Sequence, residues 1–365
     1  MHVTTNIVAS FRISHYGCVV AFFITVLTMF AFLIGSAIKF NRQPVTRPSL
    51  APRPATGQRL MTVRWNGNGA GNQMFQLAAT VGISRMQLPA VVWTVCADPN
   101  LQIRLAFPHV ANLSKCVADQ IPFPKIEYAS LPSYVYNRNV ECLPADRHIV
   151  LFHGMNVWRY FKNSTAEIRN LFQFSPETVQ RATNLLHNGV ETHLLCVGCF
   201  TYDDVIAVGV HVRRGNMIRY GRTHKLADVG YMRRATDYFN ERLNYSTFAA
   251  SVNVNRTTAW TASTNSSSRN EVVRLIFVVV SEDLNWCREA LRHRNDVVYL
   301  TSGDGVDDMA MLSLCRHSII TVGTFGWWSA WLANGITVYM KDWVGPNLLS
   351  SYDAEDFFPP TWIGL

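Results

Sequence analysis

Charge is scarce in this chain. Asp, Glu, Lys and Arg make up 16% of its 365 residues, and no run of five or more basic residues occurs. The 33 Lys and Arg outnumber the 25 Asp and Glu by 8, which favours anionic partners. Without a basic run, or a Lys/Arg stripe interleaved with stacking aromatics, the sequence does not read as a nucleic-acid surface. It also lacks an Asp-x-Asp pair at the end of any strand-like run, an arrangement that commonly holds a divalent cation on a diphosphate. No second ligand pair at metal-site spacing accompanies Cys196-Val197-Gly198-Cys199, so structural disulfide use is favoured there over zinc or redox chemistry.

The longest gap in charge lies near the N-terminus. The 26 residues from 13 to 38 contain no Asp, Glu, Lys or Arg, and Cys18 to Ile38 are nearly all apolar. At about 1.5 Å of rise per residue that core spans roughly 30 Å, a bilayer's hydrocarbon thickness. The small residues Gly35-Ser36-Ala37 would suit a cleaved signal peptide, but such peptides carry only about 7 to 15 apolar residues. The expectation is therefore a cytoplasmic tail over 1–17 and an uncleaved transmembrane anchor over 18–38. Arg12 alone precedes the span while Lys39, Arg42, Arg47 and Arg53 follow it. That bias opposes the positive-inside tendency, yet long following domains translocate largely regardless of it. Residues 39–59, with Pro44, Pro48, Pro52 and Pro54 among polar residues, read as an extended stem.

Two features of the remainder suit an exported surface. Asn-x-Ser/Thr acceptors stand at Asn112, Asn163, Asn244, Asn255 and Asn265, and N-glycosylation is expected there. Seven cysteines follow the span: Cys96, Cys116, Cys142, Cys196, Cys199, Cys287 and Cys315. In an oxidising lumen several are expected to pair, and the odd number leaves at least one free or intermolecular.

Leu60 to Trp65 reads as a strand that runs into the glycine-rich segment Asn66 to Asn72, with a helix from Gln73 to Met86. Apolar strand runs recur at Val205 to Val212, Leu275 to Val280, Asp296 to Leu300, Ser318 to Val322 and Ile336 to Met340. Helical patterns at Met232 to Leu243, Leu284 to His293 and Asp307 to Cys315 alternate with them, which predicts an α/β fold with a mostly parallel sheet. From Gln87 to Cys199 the pattern is less periodic and no strands are drawn.

In an open parallel sheet, ligands gather at the carboxyl ends of the strands. The strand Val205 to Val212 ends directly in Arg213-Arg214-Gly215-Asn216. Two guanidiniums there can make charge-assisted contacts to a diphosphate, and Gly215 lets the backbone turn close to a ligand. A solvated surface pair is the plainer reading. Gly67-Asn68-Gly69-Ala70-Gly71-Asn72 does not fit the Gly-x-Gly-x-x-Gly spacing of dinucleotide sites; it reads as a tight turn or as backbone N–H groups facing a crevice. After Ile319 to Val322, Thr324 can cap a helix or meet a phosphate at its N-terminus. The tryptophans that follow, Trp327, Trp328 and Trp331, read as packing rather than sugar platforms. Glu282 and Asp283 also follow a strand, within reach of ribose, base or acceptor or on an exposed turn.

Taken together these segments resemble the α-1,2-fucosyltransferase family, inverting enzymes that use GDP-fucose. The likeness spans roughly Leu60 to Leu365. It rests on Gly71-Asn72-Gln73-Met74-Phe75-Gln76, Gly209-Val210-His211-Val212-Arg213-Arg214-Gly215, Ser281-Glu282-Asp283 with Trp286-Cys287, Asp308 to Leu312, and Thr321 to Trp328. The resemblance implies a GT-B-like fold, two Rossmann-type lobes facing a cleft: an acceptor-side lobe over 60–203 and a GDP-fucose-binding lobe over 204–365. It implies transfer without a metal or further cofactor to a glycan hydroxyl, O2 of a terminal β-galactoside on a glycoprotein or glycolipid. It also implies type II topology in the Golgi membrane through residues 18–38.

By carry-over, His211, Arg213, Arg214, Thr324 and Phe325, with Glu282 and Asp283, organise GDP-fucose, and Gly71, Asn72 and Gln73 border the cleft from the other lobe. One departure stands out: the family usually has Asp after Arg-Arg-Gly, and this chain has Asn216. An amide cannot act as a general base. The alternative reading is therefore a glycan- or nucleotide-binding homologue with weakened turnover, and Asp228, Asp237, Glu282 and Asp283 are the other candidate bases.

Overall fold

The computed structural model describes residues 60–65, 69–87, 92–93, 102–112, 126–144, 146–197, 205–243 and 274–365. The expected tail, transmembrane helix and stem lie outside these residues, as do Asn244, Asn255 and Asn265. Among the described residues no helix is long and apolar enough to cross a membrane.

The described residues form two sheets, and every strand pair in both is parallel. The first sheet comprises β1 (Leu60–Arg64), β2 (Val92–Trp93), β3 (Ile126–Leu131) and β4 (His148–His153), in the order β2-β1-β4-β3. Helix α1 (Ala70–Met86) follows β1. Short helices α2 (Gln102–Ala106), α3 (Pro108–Asn112) and α4 (Thr165–Leu171) also accompany this sheet. The second sheet comprises β5 (Val205–Val212), β6 (Arg274–Ser281), β7 (Val297–Tyr299), β8 (His317–Ile320), β9 (Thr337–Tyr339) and β10 (Ile363–Gly364), in the order β10-β9-β8-β5-β6-β7. Its helices are α5 (Pro176–Val197), α6 (Val229–Arg242), α7 (Leu284–Ala290), α8 (Gly305–Leu314), α9 (Thr324–Ala333) and α10 (Ala354–Phe357).

The expected apolar runs of the second sheet are strands β5 to β9. Central strands read as continuous apolar segments because both faces are covered. On one face Val208, Val210, Phe277 and Val279 meet Tyr231, Met232, Ala235 and Phe239 of α6. On the other, Ala207, Ile276, Val278 and Val280 meet Ala182, Leu186, Val190 and Leu194, one stripe of α5 at four-residue spacing. Truncating such a residue, Leu186→Ala for instance, costs about 2–5 kcal/mol.

Helix α5, with β3 and β4, occupies the region where no period was legible. Gly189 stands inside it, a residue that normally weakens a helix. Here a Cβ would come within 2.5 Å of the Leu300 side chain, so the glycine admits the neighbouring loop.

The two sheets share a core through α1 and α9. Helix α1 is buried nearly all round, from Gly71 to Ser84, because it is covered by the first sheet on one side and by α9 on the other. Phe75 lies 4.5 Å from Trp327 and 5.0 Å from Trp328 between ring centroids, and Phe161 stacks on Trp328. Both tryptophans are fully buried, so they are packing, as expected. Asn163 is exposed and Asn112 ends α3. Cys142, Cys287 and Cys315 are free thiols rather than disulfide partners, the latter two buried; Cys96, Cys116 and Cys199 lie outside the described residues.

Candidate functional site

Numbered within itself, the second sheet has the order of doubly wound nucleotide-binding sheets, whose switch point falls between the first and fourth strands. Here those strands are β5 and β8. A cavity of about 1060 Å³ opens at their carboxyl ends, and residues that follow β1, β3, β6, β7 and β9 complete its wall.

At the exit of β5 the two arginines part. Arg213 lines the cavity. Its backbone N donates to Thr321 Oγ1 (2.9 Å), tying β5 to the end of β8, and its guanidinium donates to Glu282 Oε1 (2.6 Å) and Asn216 Oδ1 (2.6 Å). Arg214 is not among the lining residues. Its guanidinium donates to Asp283 Oδ2 (3.1 Å) and the Ala227 carbonyl (3.3 Å) and lies 4.1 Å from the centre of the Trp286 ring. Successive strand residues point to opposite sides, and the adjacent guanidiniums accordingly take different surroundings. Gly215 has φ +26, and a Cβ there would meet Glu282 Oε1 at 2.6 Å, so the turn requires glycine.

His211 is buried on the cavity wall beside Phe325, with ring centroids 4.9 Å apart. Burial, with Arg213 nearby, pushes its pKa down to about 3, so the imidazole is neutral. Its Nδ1 has no partner.

Gly323, at φ +103, turns the chain from β8 into α9, whose first turn has no side-chain cap. Orphan N–H groups and the helix dipole at that end favour an anion, and Gly323, Thr324 and Phe325 all line the cavity. Opposite them is the start of α1. A Cβ on Gly71 would lie 2.6 Å from Thr324 Oγ1, and Trp328 Nε1 donates to the Gly71 carbonyl (2.9 Å). Gly71 and Asn72 thus border the cavity as expected. Gln73 does not; its Oε1 accepts from the Ile103 amide of α2 (3.4 Å).

Of the candidate bases, Glu282 alone lines the cavity. Asp228 caps α6 through the Tyr231 amide (2.6 Å), Asp283 caps α7 through the Trp286 amide (3.2 Å), and Asp237 pairs with Arg294 (3.5 Å).

Two arms extend from the switch point. Beyond β7, Thr301, Gly303, Asp304 and Asp308 form a polar wall, joined by Arg181 of α5, which holds Asp307 through two hydrogen bonds. Beyond β9, Trp343 makes an aromatic wall with His224, Tyr134 and Phe357. Neither arm was assigned from sequence. Ser302-Gly303-Asp304-Gly305 after a strand is a turn signal that could have pointed to the first; the second assembles residues far apart in the chain and left no local sign. Among the described residues no three His, Cys, Asp or Glu side chains come together as a metal site.

Residues 258–365 match the profile of glycosyl transferase family 11. The chain is 30% identical over 340 residues to galactoside alpha-(1,2)-fucosyltransferase 1 of Ateles belzebuth, an alignment that covers 88% of this chain and 79% of that protein. It is 28% identical, with the same coverage, to galactoside 2-alpha-L-fucosyltransferase Sec1 of Mus musculus. Among solved structures, the fucosyltransferase NodZ from Bradyrhizobium aligns at 11% identity and a TM-score of 0.41, covering 75% of this chain and 93% of that one. With relatives of that identity and span, the chain belongs to the galactoside α-1,2-fucosyltransferases of glycosyl transferase family 11.

Proposed function

We propose that the chain transfers L-fucose from GDP-fucose to O2 of a terminal β-galactoside on a glycoprotein or glycolipid, with inversion and without a metal. It would do so as a GT-B-like enzyme anchored in the Golgi membrane through residues 18–38. The carrying observation is the cation–helix pair at the switch point: the Arg213 guanidinium on one side and the uncapped N-terminus of α9 on the other.

Negative charge grows on the diphosphate as the bond to fucose breaks. A fixed guanidinium and preorganised backbone N–H groups stabilise that charge without reorganising, and binding both substrates in one cavity supplies the orientation. The polar arm beyond β7 suits ribose and base, leaving the aromatic arm for the sugars. Asn216 keeps the contact that orients Arg213, since its Oδ1 accepts from Nη2; the weakened-homologue reading is not favoured on that ground. Arg214 would act by holding the turn in place.

The test is to express the full chain, solubilise the membranes and incubate them with labelled GDP-fucose and a panel of β-galactosides, with and without EDTA. Transfer that survives EDTA is expected. Absence of transfer to every acceptor rejects the enzyme reading, and transfer abolished by EDTA rejects its metal-free part. Protease protection of intact vesicles checks the topology.

A further inference from the structure

Because Asn216 offers no basic lone pair at neutral pH, the attacking hydroxyl needs another proton acceptor. The carboxylates that line the cavity each hold protein donors through at least one oxygen. Glu282 Oε1 accepts from Arg213 Nη1 and from the Arg214 amide (3.1 Å). Asp304 caps α8 through the Val306 amide (2.6 Å), and Asp308 accepts from Ser302 N, Ser302 Oγ and Thr301 Oγ1.

His224 differs. It lies on the aromatic arm, half-buried, with its ring stacked on Trp343 (centroids 5.5 Å apart, 22° between planes). A bridge to Val344 and the Lys225 amide, which donates to the Trp343 carbonyl (2.7 Å), fix the segment. Its Nδ1 is buried without a partner, and with the proton held on that nitrogen the Nε2 lone pair is free. Burial lowers its pKa below the ordinary imidazole value, so the ring is neutral at pH 7 and has a lone pair to offer. The charged groups around it are Arg222 and Lys225 on its own segment, Lys341 and Asp342 beside Trp343, all exposed, and Arg213 and Glu282 on the cavity wall.

We propose that His224 is the catalytic base, with the acceptor galactoside held along the Tyr134–Trp343 wall. This rests on the fucosyl-transfer reading above. In the step, the acceptor O–H proton moves to His224 Nε2 as the hydroxyl oxygen bonds to fucose C1. The C1–O bond to the β-phosphate breaks and its electron pair leaves with GDP; the imidazolium then returns its proton to solvent.

The test measures transfer against pH, and GDP affinity separately, for the full wild-type chain, His224→Gln and His224→Ala. The expected result is a fall in kcat of about 10²–10³-fold in both variants, with GDP affinity unchanged. The acid limb of the wild-type profile, below about pH 6.5, should be lost, and added imidazole should partly restore His224→Ala. Retention of wild-type kcat with the acid limb intact overturns the proposal, as does an activity loss that tracks lost GDP binding and resists imidazole. No transfer by the wild-type chain removes the reading beneath it instead.

Discussion

The two sheet regions of the molecule serve the site differently. The first-sheet region contributes shape: the start of α1, the Gly71 contact with Thr324, and aromatic side chains such as Tyr134. The second-sheet region contributes charge: Arg213, Glu282, Asp304 and Asp308 all follow its strands. Substitutions at the charged residues that line the cavity should therefore be read in rates, and those at packing contacts in stability.

The largest expected effect tests the charged side. Arg213→Ala should lower kcat/KM by roughly 10³-fold with little change in melting temperature; a loss under tenfold would move the diphosphate contact elsewhere.

His211 links the two readouts through pH. The folded imidazole stays neutral down to about 3, whereas the unfolded chain takes up a proton near 6.5. The unfolded state thus binds more protons, and stability falls as pH drops below about 6.5, by about 1.4 kcal/mol per unit for this group. Urea unfolding at pH 6.5 and 5.0 should show a shallower loss in His211→Gln.

On the shape side, Gly71→Ala places a Cβ 2.8 Å from the Thr324 carbonyl carbon and should cost about 1–3 kcal/mol in urea unfolding. An unchanged midpoint would mean that the two helices separate freely. Arg214→Ala loses a largely buried guanidinium that holds Asp283 and Trp286. It should cost about 1–2 kcal/mol of stability and far less kcat/KM than Arg213→Ala. The smallest effect belongs to Asn216→Asp: the oxygen that accepts from Arg213 is kept, so kcat should change by less than about threefold. A large rise would instead show that this position can supply the base.

Much of the second sheet was legible because strands buried on both faces must be apolar and β-branched along their whole length, as β5 and β6 are. The end of such a strand marks Arg213 from the sequence alone. What stayed hidden was set by contacts distant in sequence. Gly189 disguises α5 because Leu300 fills the space of its missing side chain, and His224 acquires its surroundings from Trp343. Arg213 and Arg214 read alike from sequence, as a pair on the diphosphate; that Arg214 turns instead to Trp286 and Asp283 follows from contacts distant in the chain.

Helix α9 is held at both ends by the first-sheet region. At its N-terminal end Trp328 donates to Gly71; at its C-terminal end Arg169 of α4 donates to the carbonyls of Trp331 (2.7 Å) and Leu332 (3.3 Å) and to Asn334 Oδ1 (2.8 Å). Mechanically, it is a strut pinned to one body while its first turn serves the other. Swinging the first-sheet region away from α9 would break every one of these bonds, so the first turn that faces the cavity is fixed in advance of any ligand.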